Sequence, residues 1–567
     1  MNNRIKFTRI LGALIVLTQL LIVSTMAMPP HPLKEEEART SGKNIDMIAA
    51  KIQEELARGI NAPSTVTSAA KASVSGNFRA LAVLIEFSDQ TSSVPGEDFD
   101  TLIFYDRTGT VKNYYKTVSY GNLDIVSLDL PSSIGWVTAP QTYAYYCNGE
   151  RGIGDYPNNT QKLFEDVIDL IDGSIDFSDY DNDGNGYLDA FIMVHSGPGY
   201  EFTYDVNDIH SHKWGIWPPK YRDGVYLYEY NIQPEYWDSP GDITCGVFCH
   251  ELGHVFGLPD LYDTDYTSRG VGVWSLMSSG SWLGPGYDGS RPAGPDAWSR
   301  IELGFASATN VTSNMTNANI SSVESGGNIY RLWNAGATGS EYFLVENRQK
   351  TGYDSYLPGS GLLVWHVDET VSTDNDNEWY PGHTSSGHYL VALEQADGLF
   401  ELEKLTNSGN SGDPFPGSTN KTSFSLVTTP NTDDYDGFNT NVGISNISAS
   451  SATMTANFQV SLSLDVNDED DLLIPNSPFM SQNYPNPFNP TTSIDINITE
   501  KTNLEVTIFN ILGQHVRTLY DGQAGVGNTK ITWDGTNDNG STVPSGIYFY
   551  SAETDNESET RKMTLVK

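Results

Sequence analysis

The chain has 567 residues, 38% hydrophobic and 11% aromatic, too long for one hydrophobic core and too aromatic for a disordered chain, so several folded domains are expected. Its 72 acidic residues against 32 basic ones give a formal net charge of −40, a surface that repels nucleic acid and anionic membranes. Three cysteines are too few for a disulfide framework.

Arg4, Lys6 and Arg9 precede the apolar run Ile10 to Val23, and Ser24-Thr-Met-Ala27 supplies small residues for cleavage. Residues 1–27 therefore read as a signal peptide, and export to the outside or the cell surface is expected. The run is short for a span and no second apolar stretch of about 20 residues follows, so the mature protein should carry no transmembrane segment. Residues 28–76 combine Pro29-Pro-His-Pro32, a charged helical stretch from Glu35 to Arg58 and a Ser/Ala/Thr-rich connection, the pattern of a propeptide and linker. They contain no cysteine for a cysteine-switch latency device.

The folded part opens with the apolar strand Leu81 to Phe87. Helical spacing follows at Val111 to Tyr120 and at Gln161 to Ile171, where Leu163, Phe164, Val167, Ile168 and Ile171 share a face. Asp181-Asn-Asp183-Gly-Asn185-Gly186-Tyr-Leu-Asp189 then places oxygen side chains at positions 1, 3, 5 and 9 of a calcium loop with glycine at 6. Ile192 stands where an EF-hand needs its bidentate glutamate. A smaller structural calcium site is therefore expected, with Asp179 a candidate to complete it. Ala190 to His195 reads as a strand.

His250-Glu-Leu-Gly-His254-Val-Phe-Gly257-Leu-Pro-Asp260 carries the chemistry. On a helix His250 and His254 lie one turn apart and can point neutral nitrogens at one zinc ion. Glu251 can take a proton from the water in the open coordination position and return it to the departing amine. Gly257 ends the helix through a positive φ, and the reversal brings back a third ligand: Asp260 by spacing, with Asp263 a second candidate. Cys245 and Cys249, just upstream, read as buried or disulfide-bonded with Cys147 rather than as a zinc pair.

This pattern, followed by Met277 in Gly272-Val-Trp-Ser-Leu-Met, resembles the immune inhibitor A family of secreted zinc metallopeptidases, which are related to the metzincins. The resemblance extends through Asp208-Ile-His-Ser-His212-Lys-Trp214 and Gly359-Ser-Gly-Leu-Leu-Val-Trp-His366-Val-Asp368. It implies a metzincin-like catalytic domain over 77–305, with Met277 as a hydrophobic floor, and a β-rich domain over 306–460. It also implies that the strand Ala190 to His195 pairs with extended substrate. The oxyanion-stabilising residue is left open: His212 and a tyrosine such as Tyr287 are candidates, and no spacing selects either. His366, His383 and His388 lack ligand spacing and read as ordinary polar histidines.

An acidic linker at 461–478 leads to a module at 479–567, with strands at Ile494–Ile498, Leu504–Asn510 and Gly546–Ala552. Its Tyr484-Pro-Asn-Pro-Phe-Asn-Pro490 opening and Pro544-Ser-Gly-Ile-Tyr-Phe549 resemble the C-terminal sorting domain of type IX secretion, a small β-sandwich. That resemblance implies the type IX machinery as a partner. The expected whole is a multidomain α+β chain: a secreted zinc endopeptidase acting on proteins or peptides. The alternative is a non-catalytic surface adhesin or carbohydrate-binding protein on the same fold.

Overall fold

This computed structural model describes residues 26–29, 31, 32, 34, 74–264, 266–371, 375–383, 387–461, 480–498, 501–525, 527–554 and 558–567. Most of the expected signal peptide, propeptide and acidic linker lie outside them. The chain divides into two compact units, Met1–Ser463 and Leu464–Lys567.

The first unit is built on a six-stranded sheet of β1 (Met26–Ala27), β2 (Leu81–Glu86), β3 (Trp136–Thr138), β4 (Phe191–Pro198), β5 (His212–Arg222) and β6 (Val225–Tyr236), in the order β1-β5-β6-β4-β2-β3. β2, β4 and β6 pair in parallel, and β5 and β1 add antiparallel. The unbroken apolar run in β2 reflects cover on both faces. Ala82 and Leu84 point into a core shared with α1 (Val111–Val118) and α3 (Cys245–Val255). Leu81, Val83 and Ile85 point into another shared with α2 (Thr160–Ile171). Thr110 and Asn159 cap α1 and α2 through the amides of Asn113 and Lys162.

Two expectations change here. The strand containing Ala190 to His195 cannot pair with substrate, because β2 and β6 occupy both its edges. A run this apolar belongs at the centre of a sheet; toward the outside the sheet ends in β5, whose outer side pairs only with the two residues of β1. Nor does Cys147 bridge to Cys245 or Cys249: all three thiols are free and buried, Cys147 in the core on one side of the sheet and the other two in the core opposite. Burial pushes the Cys147 thiol up to about 12.

The rest of this unit is β-rich, as expected. A five-stranded sheet, β12-β11-β10-β9-β7, contains β7 (Ala308–Asn310), β9 (Ile329–Leu332), β10 (Glu341–Arg348), β11 (Gly361–Asp368) and β12 (Val391–Leu393). A three-stranded one, β8-β14-β13, contains β8 (Met315–Ser321), β13 (Gly443–Ser445) and β14 (Thr453–Gln459). Alternate residues of β10 and β11 face opposite ways: Phe343, Val345, Leu362 and Val364 pack toward the three-stranded sheet. Leu344, Leu363 and Trp365 join the core that holds α3. The Arg348 guanidinium, fully buried, donates to the carbonyls of Trp274 and Gly294 and pairs with Asp354 at 2.7 Å and Glu346 at 3.2 Å. It ties the β-rich part to the segment leading to Met277. The histidines are held by carboxylates: His366 by Glu341 and Glu394, His388 by Asp368, His383 by Glu378.

The second unit packs a two-stranded sheet, β15 (Thr492–Ile498) with β18 (Gly527–Trp533), and a four-stranded one, β17-β16-β19-β20, around one core. The four-stranded sheet comprises β16 (Thr502–Asn510), β17 (His515–Ala524), β19 (Gly546–Thr554) and β20 (Ser558–Leu565).

Candidate metal centre and active site

α3 is buried along nearly its whole length, residues 245–254 without exception. Two glycines permit that packing. A Cβ on Gly246 would lie 2.1 Å from the Ser281 carbonyl, and one on Gly253 would lie 2.6 Å from Met277 Sδ. The helix ends where expected: Gly257 takes φ 90°, and Leu258 donates its amide back to the Gly253 carbonyl at 3.1 Å. Leu261 then donates to the Met277 carbonyl at 2.8 Å, which locks the returning chain beside the helix.

This reversal brings Asp260 Oδ1 to 3.1 Å from His250 Nε2 and 3.2 Å from His254 Nε2, the two ring nitrogens being 3.1 Å apart. Each ring has committed its other nitrogen. His250 donates Nδ1–H to the Leu276 carbonyl at 3.0 Å, and His254 donates Nδ1–H to the Leu258 carbonyl at 2.9 Å. Burial holds His254 below its ordinary pKa, as a neutral ring requires. Three lone-pair atoms thus face one another in a buried pocket, an arrangement suited to holding a cation. Asp263 is not among them: its Oδ2 accepts from the Ser268 amide at 2.7 Å, from Ser268 Oγ at 2.6 Å and from Thr267 Oγ1 at 3.1 Å.

Glu251 is fully buried, and neither carboxylate oxygen has a hydrogen-bond partner among the described residues. Burial, then the negative charges of Asp260 and Glu201, push it well above the usual carboxylate range. The Met28 amide tempers this electrostatically, although its N–H is given to the Ser211 carbonyl at 3.1 Å.

Met28 belongs to a segment that crosses the site. Met26 and Ala27, expected to leave with the signal peptide, form β1 and pair with Lys213 and His212 on the sheet edge. Beyond them the Met28 carbonyl accepts from His210 Nε2 at 3.1 Å, the Pro29 carbonyl accepts from Trp282 Nε1 at 2.8 Å, and His31 donates its amide to the Glu201 carbonyl at 3.1 Å. Burial, then the charges of His212 and Arg151, press His210 down to about 3, so its ring is neutral. His212 has no nitrogen to spare: Nδ1 donates to the His210 carbonyl at 2.7 Å and Nε2 pairs with Thr160 Oγ1 at 3.0 Å. Tyr287 contributes its carbonyl to His31 Nε2 at 3.0 Å. His210 and Trp282 had no spacing signal in the sequence, although His210 lies inside the run Asp208 to Trp214.

Of the calcium loop, Asp181, Asp183 and Asp189 converge within 4.8 Å. Asn185 instead uses its Oδ1 to accept from the Tyr187 amide at 2.8 Å. Burial, helped by the charges of Asp183 and Asp181, raises Asp189 to about 6. Asp179 does not join them but pairs with Arg79 at 3.9 Å, and Ile192 is a core residue of β4.

Residues 89–304 match the family model described as the immune inhibitor A peptidase M6 catalytic domain. The chain is similar over part of its length to two curated proteins. One is the pre-pro-metalloprotease PrtV of Vibrio cholerae serotype O1, 30% identical over 247 residues, 38% of this chain and 25% of PrtV. The other is immune inhibitor A of Bacillus thuringiensis subsp. alesti, 27% identical over 286 residues, 40% of each chain. The chain thus spans between a quarter and two fifths of the length of these relatives. Residues 486–558 match an FlgD Ig-like domain. A solved FlgD from P. aeruginosa is 25% identical over 13% of this chain and 58% of its own, with a TM-score of 0.11, too slight a superposition to carry weight. Among the described residues no helix is long and apolar enough to cross a membrane.

Proposed function

We propose that the chain is an exported zinc-dependent endopeptidase, in which His250, His254 and Asp260 hold the metal, Glu251 moves the proton and Met277 underlies the site. The observation that carries this reading is the meeting of three lone-pair atoms at 3.1–3.2 Å beside the unpartnered Glu251 carboxylate. The homology to PrtV, named a metalloprotease, supports it.

A zinc ion held there supplies Lewis acidity, bringing the pKa of water to about 7 and polarising a peptide carbonyl. Everything else falls to the chain's own residues. The Leu276 and Leu258 carbonyls fix the two rings in the tautomer that turns Nε2 inward. Glu251, shielded from solvent, accepts a proton from the attacking water and returns it to the leaving amine. Substrate lies along the free edge of β5, where Met26 and Ala27 now pair, so cleavage requires an extended segment. After export Met28 and Pro29 still lie across the site, held by His210 and Trp282, and the protein is therefore made latent, to be activated by removal of that segment.

Asp181, Asp183 and Asp189 are assigned to a structural calcium site, with Asn185 bracing the loop through the Tyr187 amide. The tail, residues 479–567, is assigned to sorting through type IX secretion, supported by its two-sheet core and the Tyr484 to Pro490 opening. Cleavage of unfolded casein by the exported protein after removal of its N-terminal segment, with and without chelator, and by Glu251→Ala tests the reading. The expected result is cleavage that chelator abolishes, and a variant that retains zinc but is inactive. Undiminished cleavage by Glu251→Ala overturns it.

A further inference from the structure

Ala27, Met28 and Pro29, in the peptide crossing the site, are gripped through their main chain. Ala27 pairs with His212, Met28 gives its amide to Ser211, and the carbonyls of Met28 and Pro29 take donors from His210 and Trp282. None of these contacts depends on which side chains the segment carries, so any extended peptide in the same place meets the same partners. Met28 itself is completely buried, in the same core as Val247, Phe248 and Leu252 of α3, the helix that carries Glu251.

A carbonyl oxygen has no proton to give, so the 3.1 Å contact obliges His210 to carry its hydrogen on Nε2. Its other ring nitrogen, buried, has no hydrogen-bond partner among the described residues. The imidazole, itself buried, is therefore positioned to present a single N–H to a peptide carbonyl. A preorganised donor of this kind is worth most when the oxygen it faces gains charge.

We propose that His210 is a catalytic residue that donates Nε2–H to the carbonyl oxygen of the peptide bond under attack, with the Met28 carbonyl marking where that oxygen lies. The proposal rests on the peptidase reading. As a water oxygen bonds to the carbonyl carbon, it passes a proton to Glu251 and the carbonyl π pair moves onto the oxygen, where the His210 N–H receives it. When that pair re-forms the carbonyl, the C–N bond breaks and its electrons go to nitrogen. Glu251 returns the proton there, and the second hydrogen of the water stays with the new acid. His210 neither gains nor loses a proton. Trp282 Nε1 grips the next carbonyl along and positions the peptide without touching the reacting bond.

The test compares the exported chain, after removal of the N-terminal segment, with His210→Ala and His210→Gln treated in the same way, and with Glu251→Ala as the inactive reference. Three quantities are measured: kcat/KM on a quenched fluorescent peptide, zinc per chain, and the affinity of a phosphinic peptide that mimics the charged tetrahedral oxygen. His210→Ala should lower kcat/KM roughly 10²–10³-fold, mainly through kcat, with zinc content unchanged. Its affinity for the phosphinic peptide should fall in parallel, and His210→Gln, which keeps an N–H, should recover about tenfold of both. A His210→Ala variant within about threefold of the parent overturns the proposal, as does one that loses zinc along with activity, since His210 would then act through the metal site. A parent without chelator-sensitive cleavage sinks the peptidase reading itself. An active parent beside an equally active His210→Ala variant sinks only the role of His210.

Discussion

Gly253 and Met277 are so closely packed that a methyl carbon added to the glycine would sit 2.6 Å from the methionine sulfur. Gly253 lies on α3 one residue before His254, and the carbonyl of Leu276, next to Met277, fixes the His250 ring. Gly253→Ala should therefore push the Met277 segment away and tilt one or both rings. The expected cost is about 10–100-fold in zinc affinity, the usual range when an outer partner of a metal ligand is displaced. Competitive titration against a chromophoric chelator measures it. Met277→Leu, close in volume, should cost less than about 1.5 kcal/mol and leave zinc affinity nearly unchanged.

The two aspartates after the helix should behave oppositely. Asp260→Asn removes the carboxylate charge that faces both Nε2 atoms, and zinc content after dialysis should fall well below one per chain. Asp263→Asn weakens the bonds to Ser268 and Thr267 that brace the following turn. It should lower thermal stability by about 1–3 kcal/mol while zinc stays bound. Metal analysis alongside thermal melts separates the two, and equal zinc loss in both variants would contradict the assignment of Asp260.

Much of this site was legible before the structure because its chemistry is local. Two histidines four apart, a glycine three residues on and an aspartate three beyond that describe one helix and one reversal, which short-range geometry alone determines. The strand from Leu81 and the face of α2 were equally plain, since apolar periodicity reports burial directly. What stayed hidden depends on contacts between distant segments. His210 becomes interesting only when residue 28 is brought across the sheet edge to meet it. Pairing of Met26 and Ala27 with β5 has no counterpart in their own sequence, which suits a cleavage region equally well. In the tail, β17 escaped notice because its residues are mostly half-exposed and polar, with no apolar alternation to announce a strand.

Arg348 tests how far the β-rich part supports the centre. Its guanidinium is buried against Asp354 and Glu346 and donates to the Trp274 and Gly294 carbonyls. Arg348→Met removes the cation and leaves Asp354, Glu346 and Glu324 without it, a loss of about 3–5 kcal/mol. Denaturant unfolding of the first transition should show this decrease. Zinc affinity should fall with it, because the same carbonyls anchor the chain leading to Met277. If stability drops and zinc affinity does not, the two halves are mechanically independent.

Glu403 sets a pH dependence whose sign follows from its burial. Its carboxyl, enclosed with Gln395 donating to one oxygen and with Glu394 and Asp413 nearby, is pushed from 4.5 up to about 8, chiefly by loss of water. Between those values the folded chain holds a proton that the unfolded chain has released, so stability falls as pH rises through this window. The stabilising effect of the neutral form is complete below about pH 4.5 and gone above about pH 8. Asp413, raised to about 7 by burial, slopes the same way, so the contribution of Glu403 must be read as a difference between proteins. Glu403→Gln keeps the shape and an oxygen to accept from Gln395 but cannot ionise. Its melting temperature should match the parent near pH 5 and exceed it by several degrees at pH 8.5. A difference that is constant across that range would mean that Glu403 stays ionised in the folded protein.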